Sequence, residues 1–108
     1  MIYLATPYTH DDAAVERQRY QRACELAAQL TVRGYVVFSP IVHGHAMRTA
    51  TWLQLDRARW MEIDFEFLRR SDALVIAKMP GWEKSLGVQD EIAYACTHGI
   101  PIFFWTID

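Results

Sequence analysis

Four short apolar runs, separated by longer stretches with helical spacing, constrain this chain more than any other feature. Residues 2–5, 35–38, 73–77 and 102–105 are almost wholly apolar, and runs of that length read as strands buried within a sheet. Between the first two, Ala23, Leu26, Ala27 and Leu30 recur along one helical face, with Asp11 or Asp12 placed to cap the start and Gly34 to cap the end. Residues 52–70 and about 86–98 are helical by the same reasoning, the latter stopped by Gly99 before Pro101 introduces the last run. Residues 39–51 carry Pro40 and Gly44 with no clean period and read as a long loop, a kind that is often functional. The resulting order, β-α-β-α-β-α-β, implies a parallel sheet covered by helices on both faces. A three-layer Rossmann-like or flavodoxin-like α/β fold with four strands in the order 2-1-3-4 is expected. Such sheets bind ligands beyond the carboxyl ends of their strands, where the strand order reverses. That rule gathers residues 6–10, 39–45 and 79–87 around one crevice.

Size and charge narrow the partners. A chain of 108 residues suits a single domain spanning 1–108, and 52% hydrophobic with 22% charged residues is a globular composition. No apolar run is long enough to span a bilayer, and the stretch after Met1 is too short for a secretion signal, so a cytoplasmic protein is expected. Cys24 and Cys96 stand far apart within helical patterns, which fits packed, reduced thiols. A net charge of −2 lacks the basic footprint of a nucleic-acid binder and leaves a small molecule as the expected partner.

Two acids stand out. Asp64 has Trp60, Met61, Phe67 and Leu68 as its helical neighbours, so it lies on the apolar stripe, where an ionised carboxylate without partners costs several kcal/mol. It either bonds the backbone of the loop after Ser39 or lines a pocket. Glu91 has Gly87 and Ala95 at i−4 and i+4, which leave room on its face, and a place near the positive end of the helix dipole favours its ionised form. Ahead of it, Ser85 and Gly87 open the helix where backbone N–H groups and a hydroxyl can hold a phosphate or a sugar hydroxyl. His43-Gly44-His45 has no third ligand at a recognisable spacing, so polar lining of a pocket is expected of His43 and His45 rather than metal binding. Among the tryptophans, Trp82 is the best candidate to stack on a base, because it lies in a crevice loop.

Taken in order, Ile2-Tyr3-Leu4-Ala5-Thr6-Pro7-Tyr8, Asp64 with Leu68 and Ser71-Asp72, and Ser85-Leu86-Gly87-Val88 with Glu91 resemble the nucleoside 2-deoxyribosyltransferase superfamily. The Ser-Leu-Gly-Val-x-x-Glu stretch is most similar to its 2′-deoxynucleoside 5′-phosphate N-hydrolases, and Pro80-Gly81-Trp82-Glu83 resembles short uncharacterised bacterial and phage relatives. The resemblance implies Glu91 as the nucleophile toward the anomeric carbon and Asp64 as the acid that assists the leaving base, the division of labour of retaining glycoside chemistry. It also implies a substrate pocket to which Tyr8, Ser39, His43, His45, Trp82, Ser85 and Gly87 contribute, a nucleoside or nucleotide as substrate, and neither metal nor cofactor. Thr6 stands where the superfamily has glycine. Pro7-Tyr8-Thr9 lacks the arginine of the phosphate-specific hydrolases, and Ser85 stands where transferases have aspartate. A nucleotide N-hydrolase is therefore expected ahead of a base-exchanging transferase or a non-catalytic nucleotide-binding module. The spread of Trp60, Phe65 and Phe67 around their helix, together with the resemblance, leads to the expectation of a homodimer or dimer-based oligomer with that helix at the interface.

Overall fold

The computed structural model describes residues 1–48, 50 and 52–107; Thr49, Thr51 and Asp108 lie outside the described residues. Its elements follow in the order β1 (Ile2–Ala5), α1 (Ala13–Val32), β2 (Val37–Phe38), α2 (Pro40–Met47), α3 (Arg57–Arg69), β3 (Ala73–Ala77), a 3-10 turn (Trp82–Lys84), α4 (Leu86–Thr97) and β4 (Ile102–Trp105). The four strands form one parallel sheet in the order β2-β1-β3-β4. The expected fold class and strand order are those observed.

Period-two alternation along the central strands builds two cores. Tyr3, Ala5, Leu74 and Ile76 point to the side covered by Leu68 of α3 and by Val88 and Ala95 of α4. Leu4 and Ala77 point to the opposite side, against Leu26 and Leu30 of α1. β1 and β3 lie in the middle of the sheet and are enclosed from both faces, whereas β4 is an edge strand with Phe103 and Phe104 about half exposed.

Local chemistry sets the helix boundaries. Asp12 caps α1 by accepting from the Ala14 N–H at 2.9 Å. Asp56 caps α3 through the Arg59 N–H at 2.8 Å, so the helix begins five residues later than periodicity alone places it. The largest departure is in residues 39–51, which contain α2 rather than a plain loop. Ser39 accepts from the Val42 N–H at 3.2 Å and Pro40 occupies the first turn, a pairing that favours helix initiation because proline has no N–H to leave unsatisfied there. Phe65 and Phe67 do not project outward. Phe65 stacks on Tyr94 at 4.4 Å and Phe67 on Phe38 at 3.9 Å, so these sides of α3 are covered within the chain and do not require a second subunit.

Two crevice loops are tied together by Arg19. Its guanidinium donates to the Thr9 carbonyl at 2.9 Å and lies against Gly81, where a Cβ would come within 2.6 Å of it. Gly81 also has φ +90°, and Gly34, with φ +97°, has no neighbour within 4 Å of a Cβ. Both glycines relieve the left-handed strain of about 1 kcal/mol that an L-residue carries, but only Gly81 also makes room for a cation. Gly34→Ala is expected to cost about 1 kcal/mol and Gly81→Ala about 2 kcal/mol, the excess reflecting the displaced charged hydrogen bond. Urea denaturation measures both, and the difference should vanish in an Arg19→Ala background.

Candidate active site

A cavity of about 700 Å³ opens at the carboxyl ends of the strands. The end of β1 contributes Thr6, Tyr8 and Thr9, the start of α2 Pro40 and Ile41, α3 Trp60, Met61 and Asp64, and the start of α4 Ser85, Gly87 and Glu91. Four separate segments thus bring the two expected catalytic acids into one cavity.

Glu91 is only 4% exposed. It lies on the inward stripe of α4 with Val88 and Ala95, which presses its carboxyl against the sheet. Burial raises its pKa to about 8; the Tyr3 hydroxyl pulls it down, while Asp64 and Asp90 add repulsion. Among the described residues no cation pairs with Glu91. The dipole of α4 does not keep it ionised, contrary to the sequence expectation, because Glu91 sits in the helix's second turn, beyond the terminal turn where that effect acts. Asp64 is partly buried, and burial raises its pKa to about 6 although nearby Arg48 lowers it. Two carboxyls on different helices are thus both shifted toward the neutral range, in each case chiefly by burial.

The Tyr3 hydroxyl faces Glu91 closely enough to influence its charge and is itself held protonated by burial and by Glu91. Its geometry falls short of a hydrogen bond, and among the described residues the Tyr3 hydroxyl and Thr6 Oγ1 are both buried without a partner. In the sequence Tyr3 carries one signal, a hydroxyl inside an otherwise apolar strand. Arg48, which stands in the stretch expected to be a loop, lies with its guanidinium 4.9 Å from the Tyr8 ring centre and 5.1 Å from that of Trp60.

The remaining expected residues divide. Tyr8, Ser85 and Gly87 line the cavity, but Ser85 already accepts from the Val88 N–H at 3.3 Å as the cap of α4. Ser39 does not line it, being buried as the cap of α2. His43 packs its ring beside Phe38 and Phe67, away from the cavity. His45 stands behind the wall, joined to the Tyr8 hydroxyl by a 2.8 Å hydrogen bond and stacked on Tyr20 at 3.8 Å, so it positions Tyr8 rather than lining the cavity. Trp82 also lies outside, packed against Phe104 and the core; Trp60 is the tryptophan in the cavity wall. A residue in a crevice loop need not face the crevice, because the 3-10 turn rotates Trp82 back toward the sheet edge.

Over residues 1–107 the sequence matches a family described as a domain of unknown function, DUF1937. The chain belongs to the DUF1937 family. No curated protein matches this DUF1937 chain by sequence. Its structure is similar to that of the 2-deoxyribosyltransferase from the psychrotolerant bacterium Bacillus psychrosaccharolyticus, with a TM-score of 0.67 at 17% identity, covering 97% of this chain and 71% of that one. At that identity the likeness is one of fold. Among the described residues of the DUF1937 chain no helix is long and apolar enough to cross a membrane.

The buried acid has a thermodynamic consequence. The Glu91 pKa in the folded chain lies above its ordinary value of 4.5, so between about pH 4.5 and 8 the native state retains a proton that the unfolded chain has lost. Stability from this group falls as pH rises through that window. Glu91→Gln is therefore expected to stabilise the protein by a few kcal/mol at pH 9 and to match the parent near pH 4.5. Thermal unfolding of both proteins across that range checks the sign.

Proposed function

We propose that this protein is an N-glycosidase that releases the base from (deoxy)nucleoside 5′-monophosphates. The observation that carries this reading is the convergence of Glu91 and Asp64 in one cavity, the former almost fully buried and, among the described residues, without a cation partner. Nothing in the packing of α4 requires a carboxyl at that position. Asp90, one residue earlier, meets its electrostatic needs by pairing with Arg57 on the surface. The fold shared with a 2-deoxyribosyltransferase supports the same chemistry.

Between about pH 6 and 8 the pair holds one proton, residing mainly on Glu91. Its transfer to Asp64 produces both reactive forms at once, a carboxylate at Glu91 and an acid at Asp64. Glu91 then forms a bond to the anomeric carbon as the carbon–nitrogen bond breaks, and Asp64 gives its proton to the departing base. Water, deprotonated by Asp64, cleaves the sugar ester and restores Glu91. Tyr3 stands where its hydroxyl can donate to Glu91 once that group is ionised. A transferase differs only in that a second base captures the same intermediate.

Base release from a panel of nucleosides and nucleotides tests the reading. Glu91→Ala should abolish release, and Asp64→Asn should slow it by about 10² to 10⁴. The profile of kcat/KM should be bell-shaped, with limbs near pH 6 and 8: below the lower limb both acids are protonated, and above the upper one no proton remains for the base. Absence of any turnover, with tight nucleotide binding retained, would identify a binding module instead.

The oligomeric reading is a homodimer or dimer-based oligomer, now resting on exposed apolar residues near the cavity. Leu86 on its rim is 70% exposed and Trp52, just before the cavity-lining Leu53, is 81% exposed. Cover by a second subunit would remove both from water. Light scattering at micromolar concentration should give at least twice the 12.5 kDa chain mass.

A further inference from the structure

The inner and outer parts of the cavity carry opposite charge. Asp64 and Glu91 stand inside it, whereas Arg48, Arg57 and Lys84 also line it and are exposed. Arg57 is already committed to Asp90. Among the described residues neither Arg48 nor Lys84 forms an ion pair.

Arg48 is nevertheless held in place. Its guanidinium lies beside both the Tyr8 and the Trp60 rings, at 4.9 and 5.1 Å from their centres. Two ring contacts restrict where the guanidinium sits, and its five N–H donors exceed what an approach to the Tyr8 hydroxyl can use, so donors remain for a tetrahedral oxyanion. Tyr8 is in turn fixed by its 2.8 Å hydrogen bond to His45, so the platform beneath Arg48 is itself anchored. The loop after β1, Pro7-Tyr8-Thr9, contains no cation of its own. Arg48 delivers one over that loop from the end of α2.

We infer that Arg48, assisted by Lys84, forms the subsite for the substrate's phosphate monoester, and that this arginine makes the protein prefer phosphorylated nucleosides to free ones. The inference rests on the reading of the cavity as an N-glycosidase site and names the residue that selects its substrate class. Two cations match a phosphate monoester, which carries between one and two negative charges at neutral pH. Both cations are exposed, whereas Glu91 is buried. The Ser85 end of α4 is less suited to hold the phosphate alone, because its hydroxyl is engaged in capping. An arginine that served only to lower the Asp64 pKa would affect nucleosides and nucleotides alike, and this difference makes the assignment testable.

Calorimetry on the full chain carrying Glu91→Gln separates binding from turnover. The probes are the four 2′-deoxynucleoside 5′-monophosphates, the four matching nucleosides and inorganic phosphate. At least one monophosphate should bind about tenfold or more tightly than its nucleoside, with affinity that weakens as salt rises. Adding Arg48→Met should erase that preference while leaving nucleoside affinity within about threefold, and Arg48→Lys should restore part of it. Equal affinity for nucleosides and monophosphates, no monophosphate binding at millimolar concentration, or a preference that survives Arg48→Met would each overturn the assignment. Because Glu91→Gln does no chemistry, failure of the catalytic reading would appear separately, as lack of base release by the parent protein.

Discussion

A carboxyl group buried with neither a cation nor enough N–H donors stays protonated over much of the neutral range, and Glu91 is brought to that condition by its place on α4. The same face that packs Val88 and Ala95 onto the sheet carries Glu91 inward, so desolvation outweighs the helix dipole and sets its proton affinity. The remainder of the cavity answers to this group. Asp64 shares its field from α3, Tyr3 turns a hydroxyl toward it from β1, and the cations that line the cavity stay on its outer part.

The parallel sheet makes this arrangement possible without strain at the acids themselves. Each strand ends on the same side, so the loops leaving β1 and β3 and the helix that follows β2 meet over the switch between β1 and β3. Arg19 then couples the loops after β1 and β3, donating to the Thr9 carbonyl of one and lying against Gly81 of the other. The ion pairs on the outer face of α3, Arg59 with Glu62 and Arg69 with Glu66, are exposed and add little to stability. The geometry of the cavity therefore depends on the buried helix faces and on a few polar ties between loops.

Several features of this site were readable one residue at a time. Asp64 on an apolar stripe and Glu91 with small residues at i−4 and i+4 each stand out from their own neighbours, and both do line the cavity. Ser39-Pro40 also carried its own helix signal, a cap followed by a first-turn proline, which the absence of apolar periodicity in the following residues obscured. The positions of His43, His45 and Trp82 were not readable in the same way. Loop membership says which end of the sheet a residue occupies, but the turn around it decides whether its side chain faces the cavity, as the contact of Trp82 with Phe104 illustrates.

The sequence by itself determined the order of the strands and of the three longer helices, the parallel sheet and the end of it at which the cavity opens, because hydrophobic periodicity and capping act over a few residues. Only the tertiary structure decided the proton affinity of Glu91, the placement of Arg48 beside Tyr8 and Trp60, and the stacking that partly buries Phe65 and Phe67. Each of those depends on groups from distant segments meeting in a medium of low polarity. Desolvation and ring contact are properties of that shared volume, and no spacing along the chain encodes them.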